Sequence, residues 1–318
     1  MLSEVLAKLE ARGHRAVAVP VGRLEELREH YEGLSRQGLI DERLARELLT
    51  GLSLRPPEAV ARPSSLIVVA TGDPVVRCTF RWKGCDVSIP VPPTYLHYKR
   101  KSDEVARALA ELLPRQCHVA SLYNAPQKLL AVRSGLARYG RNNITYISGF
   151  GSFYRLTAVC TDVPCDDAEW LTPSMMPRCE GCTRCVSACP TGAIPEDRIL
   201  LRAELCITYW NEKPGEIPFP GWLAGDWHEC LVGCLHCQLA CPENEAVLGY
   251  QERGPSFTED ETEALLRGSR PGDLPYGLKE KLENWDLLIW LGVLPRNLAV
   301  HLSGAGRRPP DFGRPGIR

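Results

Sequence analysis

The stretch Arg178–Pro195, RCEGCTRCVSACPTGAIP, decides how the chain is read: it packs four cysteines into eleven positions and follows the last with proline. Its spacing is Cys179-x2-Cys182-x2-Cys185-x3-Cys189-Pro190. A second stretch, Cys234-x2-Cys237-x3-Cys241-Pro242, repeats the later part of that pattern, and Cys206 and Cys230 lie between the two. Thiolates at every third residue of a tight loop can reach three corners of an iron–sulfur cubane, and the fourth ligand must arrive from elsewhere. In proteins with two such clusters, the cysteine before proline crosses to the other cluster. This rule assigns Cys179, Cys182, Cys185 and Cys241 to one 4Fe-4S cluster and Cys234, Cys237 and Cys189 to the other, whose fourth ligand is Cys206 or Cys230. Zinc also takes four thiolates, but its sites usually separate two cysteine pairs by about a dozen residues or more, whereas here three ligands share one short loop. Backbone amides of Thr191–Ala193, just past Cys189, are placed to tune a cluster potential.

Composition sets the frame around these motifs. The 318 residues suffice for two or three compact units, and 44% hydrophobic with 24% charged residues is ordinary for a water-soluble fold. Lys and Arg total 38 against 39 Asp and Glu, so the net charge of -1 supplies no global field for nucleic acid or an anionic membrane. The longest aliphatic stretch, Leu66–Ala70, is far too short to span a bilayer, and the first residues read as an amphipathic helix. The expected location is cytoplasmic, where thiols stay reduced, so fourteen cysteines need a reason other than disulfides. Cys78, Cys85, Cys117, Cys160, Cys165 and Cys230 fall outside the motifs and read as buried small apolar residues.

Periodicity suggests four segments. Residues 1–62 form a helical region, with helices at Leu2–Leu9, Leu24–Tyr31 and Glu42–Leu49. Residues 63–170 form a mixed α/β domain, functionally one unit with 1–62. It contains a buried strand at LIVVA, a hairpin over Val75–Phe80 and Val87–Val91, and a helix capped by Ser102 and stopped by Pro114. Cys117–Ser121 reads as a further strand, Pro126 opens a helix to about Leu136, and Ile144–Ser148 with Phe153–Cys160 read as a strand pair. Residues 171–250 shift to Cys, Pro, Trp and Gly with little room for a core, as in a unit held by its metal. Residues 251–318 return to helices, opened by a Thr258/Glu261 capping box and closed by a loose tail.

These motifs resemble the epoxyqueuosine reductase family, cobalamin-dependent double-cluster reductases related to reductive dehalogenases. CEGCTRCVSACPTGAI and LCITYW…GCLHCQLACPEN resemble its paired cluster motifs, including the isolated Cys206 followed by Ile207, Thr208 and Tyr209. Ala131–Val163 resembles the segment that passes a glycine, a basic residue and an asparagine beside the corrinoid, and LPRNLAVHL resembles the start of a C-terminal helical repeat module. The resemblance prefers Cys206 as the eighth ligand. It implies an α+β fold, with a nitroreductase-like α/β domain of cobalamin type, a two-cluster ferredoxin-like domain and a short C-terminal helical segment. It also implies cobalamin contacts from Tyr139, Gly140, Arg141, Asn142, Ser152 and Tyr209, and a donor such as ferredoxin or flavodoxin that sends electrons through both clusters to cobalt. The substrate class would be an electrophilic small molecule or modified nucleoside.

Three departures weigh against a queuosine-tRNA substrate. Where the family carries a proton-donating aspartate, this chain reads ASLYNAPQK, which leaves Ser121, Tyr123 and Asn124 as candidate catalytic residues. RWKGCDVSIPVPPTYLHYKRK has no counterpart, and the repeat module is cut to one helical pair. They also leave a second reading open, an electron-transfer or activator protein that serves a corrinoid or flavin enzyme. Asp226-x-His228 begins like a cobalt-ligating Asp-x-His-x-x-Gly motif, but Leu231 replaces the glycine, so His228 reads as a hydrogen-bonding surface or supporting histidine. GFGSFY lacks the third glycine of a dinucleotide fingerprint and reads as a turn.

Overall fold

The computed structural model describes residues 1–303 apart from Ser53, Asn124, Asp167, Ala168, Arg198, Ile199 and the side chain of Leu48. The tail read above as loose lies outside the described residues. In chain order the elements are α1 (Leu2–Ala11), β1 (Arg15–Pro20), α2 (Arg23–Arg36), α3 (Glu42–Gly51), β2 (Ser65–Gly72), β3 (Val75–Trp82), β4 (Cys85–Val91) and α4 (Tyr98–Leu112). There follow β5 (Val119–Ser121), α5 (Gln127–Arg133), β6 (Arg138–Tyr139), β7 (Thr145–Tyr146), β8 (Tyr154–Thr161), α6 (Arg184–Ala188), α7 (Ile207–Asn211) and α8 (His236–Leu239). The chain closes with β9 (Gln251–Phe257), α9 (Glu259–Leu266), α10 (Tyr276–Asn284) and α11 (Leu294–Ser303). Among the described residues no helix is long and apolar enough to cross a membrane.

Internal contacts divide the chain into two compact units. The first comprises 1–72, 99–183 and 194–203; the second comprises 73–98, 184–193 and 204–318. The hairpin expected inside the 63–170 domain therefore packs with the C-terminal helices, and residues 171–250 are shared between the units.

The first unit is built on an antiparallel sheet in the order β1-β2-β8-β5. Its central strands are apolar on both faces. Leu66, Val68 and Ala70 of β2, with Leu156, Ala158 and Cys160 of β8, pack beneath Leu24 and Leu27 of α2 and Leu129–Val132 of α5. Ile67, Val69 and Val159 meet Leu2, Val5 and Leu9 of α1 and Val105 and Leu109 of α4 on the opposite face. Period-two alternation separates two cores, which is why LIVVA reads as one continuous apolar run. The pair expected between Ile144–Ser148 and Phe153–Cys160 does not form as such. Thr145–Tyr146 pairs with Arg138–Tyr139, while Tyr154–Thr161 runs between β2 and β5. Both runs are β-branched and apolar, and sequence alternation does not specify a partner. Ser102 is not an N-cap: α4 begins at Tyr98, and Ser102 is buried within it.

The second unit holds a three-stranded sheet, β4-β3-β9. β3 and β4 pair antiparallel across a two-residue turn in which Lys83 and Gly84 both take positive φ, 49° and 76°. That combination matches the twist of the strands. β9 adds in parallel to β3 and was not anticipated, because Gly254 and Pro255 interrupt its pattern. A Cβ on Gly254 would lie 2.6 Å from Val76 Cγ1, so glycine lets the two strands approach. Phe80 stacks on Phe257 at 4.7 Å, and the same core takes in Leu278, Leu282, Leu294 and Leu298. Of the six cysteines outside the motifs, Cys78, Cys160 and Cys230 are buried as expected, but Cys85 is exposed in the hairpin and Cys117 and Cys165 are half-buried.

The capping box forms as read: Glu261 N donates to Thr258 Oγ1 at 3.3 Å, and Thr258 N donates to Glu261 Oε2 at 2.9 Å. Lys281 Nζ reaches the same carboxylate at 2.6 Å. Thr258→Ala is expected to lower the unfolding free energy by about 1 kcal/mol, measured by urea denaturation of the full chain.

Candidate metal centre

The second unit carries six of the eight motif cysteines, on short helices and the loops flanking them. α6 contains Cys185 and stops just before Cys189-Pro190; α8 contains Cys237 and stops just before Cys241-Pro242. Proline cannot continue either helix, so each stretch turns away after one turn, and α6 and α8 pack together. Cys206 is the N-cap residue of α7. Cys189 Sγ lies 3.5 Å from Thr191 Oγ1.

Electrostatics groups these thiols. Burial pushes the Cys206 thiol up, and Cys189 adds to the rise. Burial pushes Cys234 well up, with further contributions from Cys230, Glu229, Cys237 and Cys206. Cys189, Cys206, Cys230, Cys234 and Cys237 thus share one neighbourhood, drawn from both sequence motifs and the segment between them. Without a metal such thiols stay protonated and neutral. A cation reverses the penalty, because it stabilises every thiolate at once. Soft sulfur donors suit iron–sulfur or zinc chemistry, so the residues present fit a cluster. Cys230 is buried and contributes most among the neighbours to the rise of Cys234, and its carbonyl lies 2.9 Å from His301 Nε2.

Glu229 was not singled out in the sequence. It is buried, and burial raises its carboxyl group. Leu235 N donates to its Oε1 at 2.8 Å, and its Oε2 lies 3.4 Å from His236 Nδ1. Ligand atoms of Glu229, Cys234 and His236 come within 4.8 Å of one another, so this group shares Cys234 with the cysteine cluster. His228 is neither at the surface nor hydrogen-bonded through Nε2 among the described residues. Its ring packs 4.5 Å from Phe219, and burial pushes its pKa down to about 4. Arg296 covers the Phe219 ring at 4.2 Å.

In the first unit, Cys179 and Cys182 sit on the loop that Arg141 holds. Arg141 Nη2 donates to Cys179 O at 3.0 Å, Nε to Cys182 O at 3.0 Å and Nη1 to Glu196 O at 3.1 Å. Its five-donor fork suits several carbonyls converging on one point. Asn142 Nδ2 donates to Tyr146 Oη at 2.8 Å, and its Oδ1 accepts from Ile144 N at 3.2 Å. Gly140 is required here, because a Cβ would lie 2.6 Å from Cε2 of the Tyr146 ring. Tyr139 and Ser152 are buried in the same unit, while Tyr209 belongs to the second, where Lys213 Nζ covers its ring at 4.2 Å. Of the side chains named for a corrinoid, those of Arg141 and Asn142 are engaged with other residues of the first unit.

Of the candidate catalytic residues, Ser121 Oγ donates to Ser102 O at 3.3 Å, and the Tyr123 hydroxyl donates to the Asp103 carboxylate. Asn124 lies outside the described residues.

Comparison with known proteins agrees with this geometry. Residues 178–244 match a family described as a 4Fe-4S double cluster binding domain. The class defined is thus a double-cluster domain within a mixed helix-and-strand chain. More particularly, the chain is similar to epoxyqueuosine reductases. It is 36% identical over 122 residues to that of Cyclobacterium marinum, covering 38% of each chain, and 35% identical over 146 residues to that of Burkholderia pseudomallei, covering 44% of this chain and 34% of that one. The aligned regions span little more than a third of those relatives' length. The fold match is broader. Epoxyqueuosine reductase from Bacillus subtilis superposes with a TM-score of 0.63 at 17% identity, covering 95% of this chain and 80% of the other. An epoxyqueuosine reductase solved with a modified tRNA stem loop superposes at 0.53 and 19% identity, covering 88% and 82%.

Arg141→Ala is expected to cost about 2 kcal/mol in urea unfolding, as charge-assisted hydrogen bonds are lost, with Arg141→Lys recovering only part. A role confined to gripping a ligand would leave the stability of the ligand-free protein unchanged.

Proposed function

We propose that the chain is an iron–sulfur oxidoreductase of epoxyqueuosine reductase type. In this reading Cys179, Cys182, Cys185 and Cys241 ligate one 4Fe-4S cluster, and Cys189, Cys206, Cys234 and Cys237 ligate the other. The observation that carries it is the match of residues 178–244 to a 4Fe-4S double cluster binding domain, supported by Cys189 lying near Cys206 and by Cys230, Cys237 and Cys206 lying near Cys234. Clusters are one-electron carriers. A low-potential donor such as ferredoxin or flavodoxin loads them singly, and the acceptor they serve reduces an electrophilic small molecule or modified nucleoside. The same reading places the protein in the cytoplasm, where its thiols stay reduced.

Cobalamin is the acceptor that the resemblance implies, and when bound it would supply a strongly nucleophilic reduced metal. The chain's own contribution is narrower. Arg141 fixes the Cys179–Cys182 loop, and Glu229 accepts from the Leu235 amide beside Cys234. An aspartate proton donor is missing from the Ser121–Tyr123 stretch, and this favours the second reading, an electron-transfer or activator protein without its own substrate. Anaerobic protein prepared with cobalamin supplied tests the two readings. Corrinoid bound in proportion to protein supports the reductase; intact clusters without corrinoid, together with capture of a redox partner, support the carrier.

Cysteine exchange tests the ligand set. Cys206→Ser is expected to cut iron from about eight toward four per chain, whereas Cys230→Ser retains about eight. The reverse pattern would make Cys230 the eighth ligand.

A further inference from the structure

Tyr95 lies in the RWKGCDVSIPVPPTYLHYKRK stretch, which no family motif explains. It follows Pro92, Pro93 and Thr94 at the end of β4, where prolines prevent the strand from continuing. The turn there is tied back by Thr94 N, which donates to Asp73 Oδ2 at 2.8 Å, and by Trp290 Nε1, which donates to Tyr95 O at 3.2 Å. The Trp290 ring packs against the Tyr95 ring at 5.5 Å. The backbone that carries Tyr95 is thus held from both sides, within the second unit.

The ring itself covers Gly233, the residue before Cys234. Gly233 has φ +75°, and a Cβ there would meet Tyr95 Cζ, Oη and Cε2 at 2.7, 2.8 and 2.9 Å. The absence of a side chain is what lets an aromatic ring lie flush on the cysteine loop. The hydroxyl then donates to Glu212 Oε1 at 2.5 Å. Glu212 is the C-cap residue of α7, whose N-cap is Cys206. Its neighbour Asn211 donates from Nδ2 to Gly233 O at 2.8 Å, and Asn297 Nδ2 donates to both Asn211 O and Leu231 O at 3.0 Å. One end of α7 carries Cys206, and the other end is pinned to the loop that carries Cys234. Cys206 and Cys230 both lie near enough to add to the burial-driven rise of the Tyr95 phenol.

We infer that Tyr95 is a positioning residue for the cluster held by Cys189, Cys206, Cys234 and Cys237: its ring keeps water off the Gly233–Cys234 turn and its hydroxyl fixes α7 against that turn. This inference rests on the double-cluster reading and refines one of its two sites. Its electrochemical consequence has a definite sign. A four-thiolate cluster becomes more negative on reduction, and a dry surrounding opposes that added charge. Excluding water therefore holds the potential of this cluster down.

The test uses the full chain prepared anaerobically with its clusters, in wild-type, Tyr95→Phe and Tyr95→Ala forms. Iron per chain and electron paramagnetic resonance during a redox titration are read for each. The Ala variant is expected to show one cluster with a raised midpoint that loses its iron faster in air, while the other cluster keeps its midpoint. The Phe variant, which keeps the ring, is expected to hold the wild-type midpoint and to lose iron at a rate between the two. If the Ala variant does not fold, Tyr95→Leu is read in its place with the same expectation. Midpoints unchanged in the small-side-chain variant, or both shifted together as in a general loosening, would overturn the inference. Wild-type protein without cluster iron would instead remove the reading beneath it.

Discussion

Thiolates brought close together repel one another unless a cation binds them all, and that is the constraint on which the cysteine-rich part of this protein depends. Each of Cys206 and Cys234 is hindered from ionising first by burial and then by its neighbours. Metal ligation supplies a favourable term for every thiolate at once.

The scaffold around the thiols is fixed by side-chain hydrogen bonds to the backbone together with the packing of Ile207, Leu231, Val232 and Leu235. Arg141 holds the Cys179 and Cys182 carbonyls, Glu229 accepts the Leu235 amide, and Asn211 and Asn297 stitch the Leu231–Gly233 backbone to α7. Each of these side chains reaches a main-chain atom at or near a cysteine, and Glu229 also accepts from Cys234 Sγ at 3.9 Å. Contacts of that kind orient the ligands of a metal centre. The hydrophobic cores are two on opposite faces of the first unit's antiparallel sheet and one beneath the three-stranded sheet of the second, which takes in Leu231 and Val232.

The cluster segment was legible because metal ligation writes itself as spacing, and the buried strand because LIVVA has no polar alternation. The capping box was legible for the same local reason, as Thr258 and Glu261 satisfy each other within one turn. Partnership was not legible. Nothing in residues 75–91 announces that the hairpin takes β9 as a third strand, since the contact depends on Gly254 permitting close approach. The hold of Arg141 on the cysteine loop is not legible either, because its three carbonyl acceptors lie 38 to 55 residues away in sequence. Tyr95 carried no signal at all, because its role depends on the missing side chain of a glycine 138 positions later.

The central claim is that sulfur from both motifs encloses two iron cages. Mössbauer spectroscopy of full-length protein grown on enriched iron and purified without oxygen tests it most directly. The account predicts the spectrum of 4Fe-4S clusters with iron and acid-labile sulfide in equal amounts, about eight of each per chain. A well-folded protein that holds zinc there, or only a single cluster with wild-type cysteines intact, would contradict it.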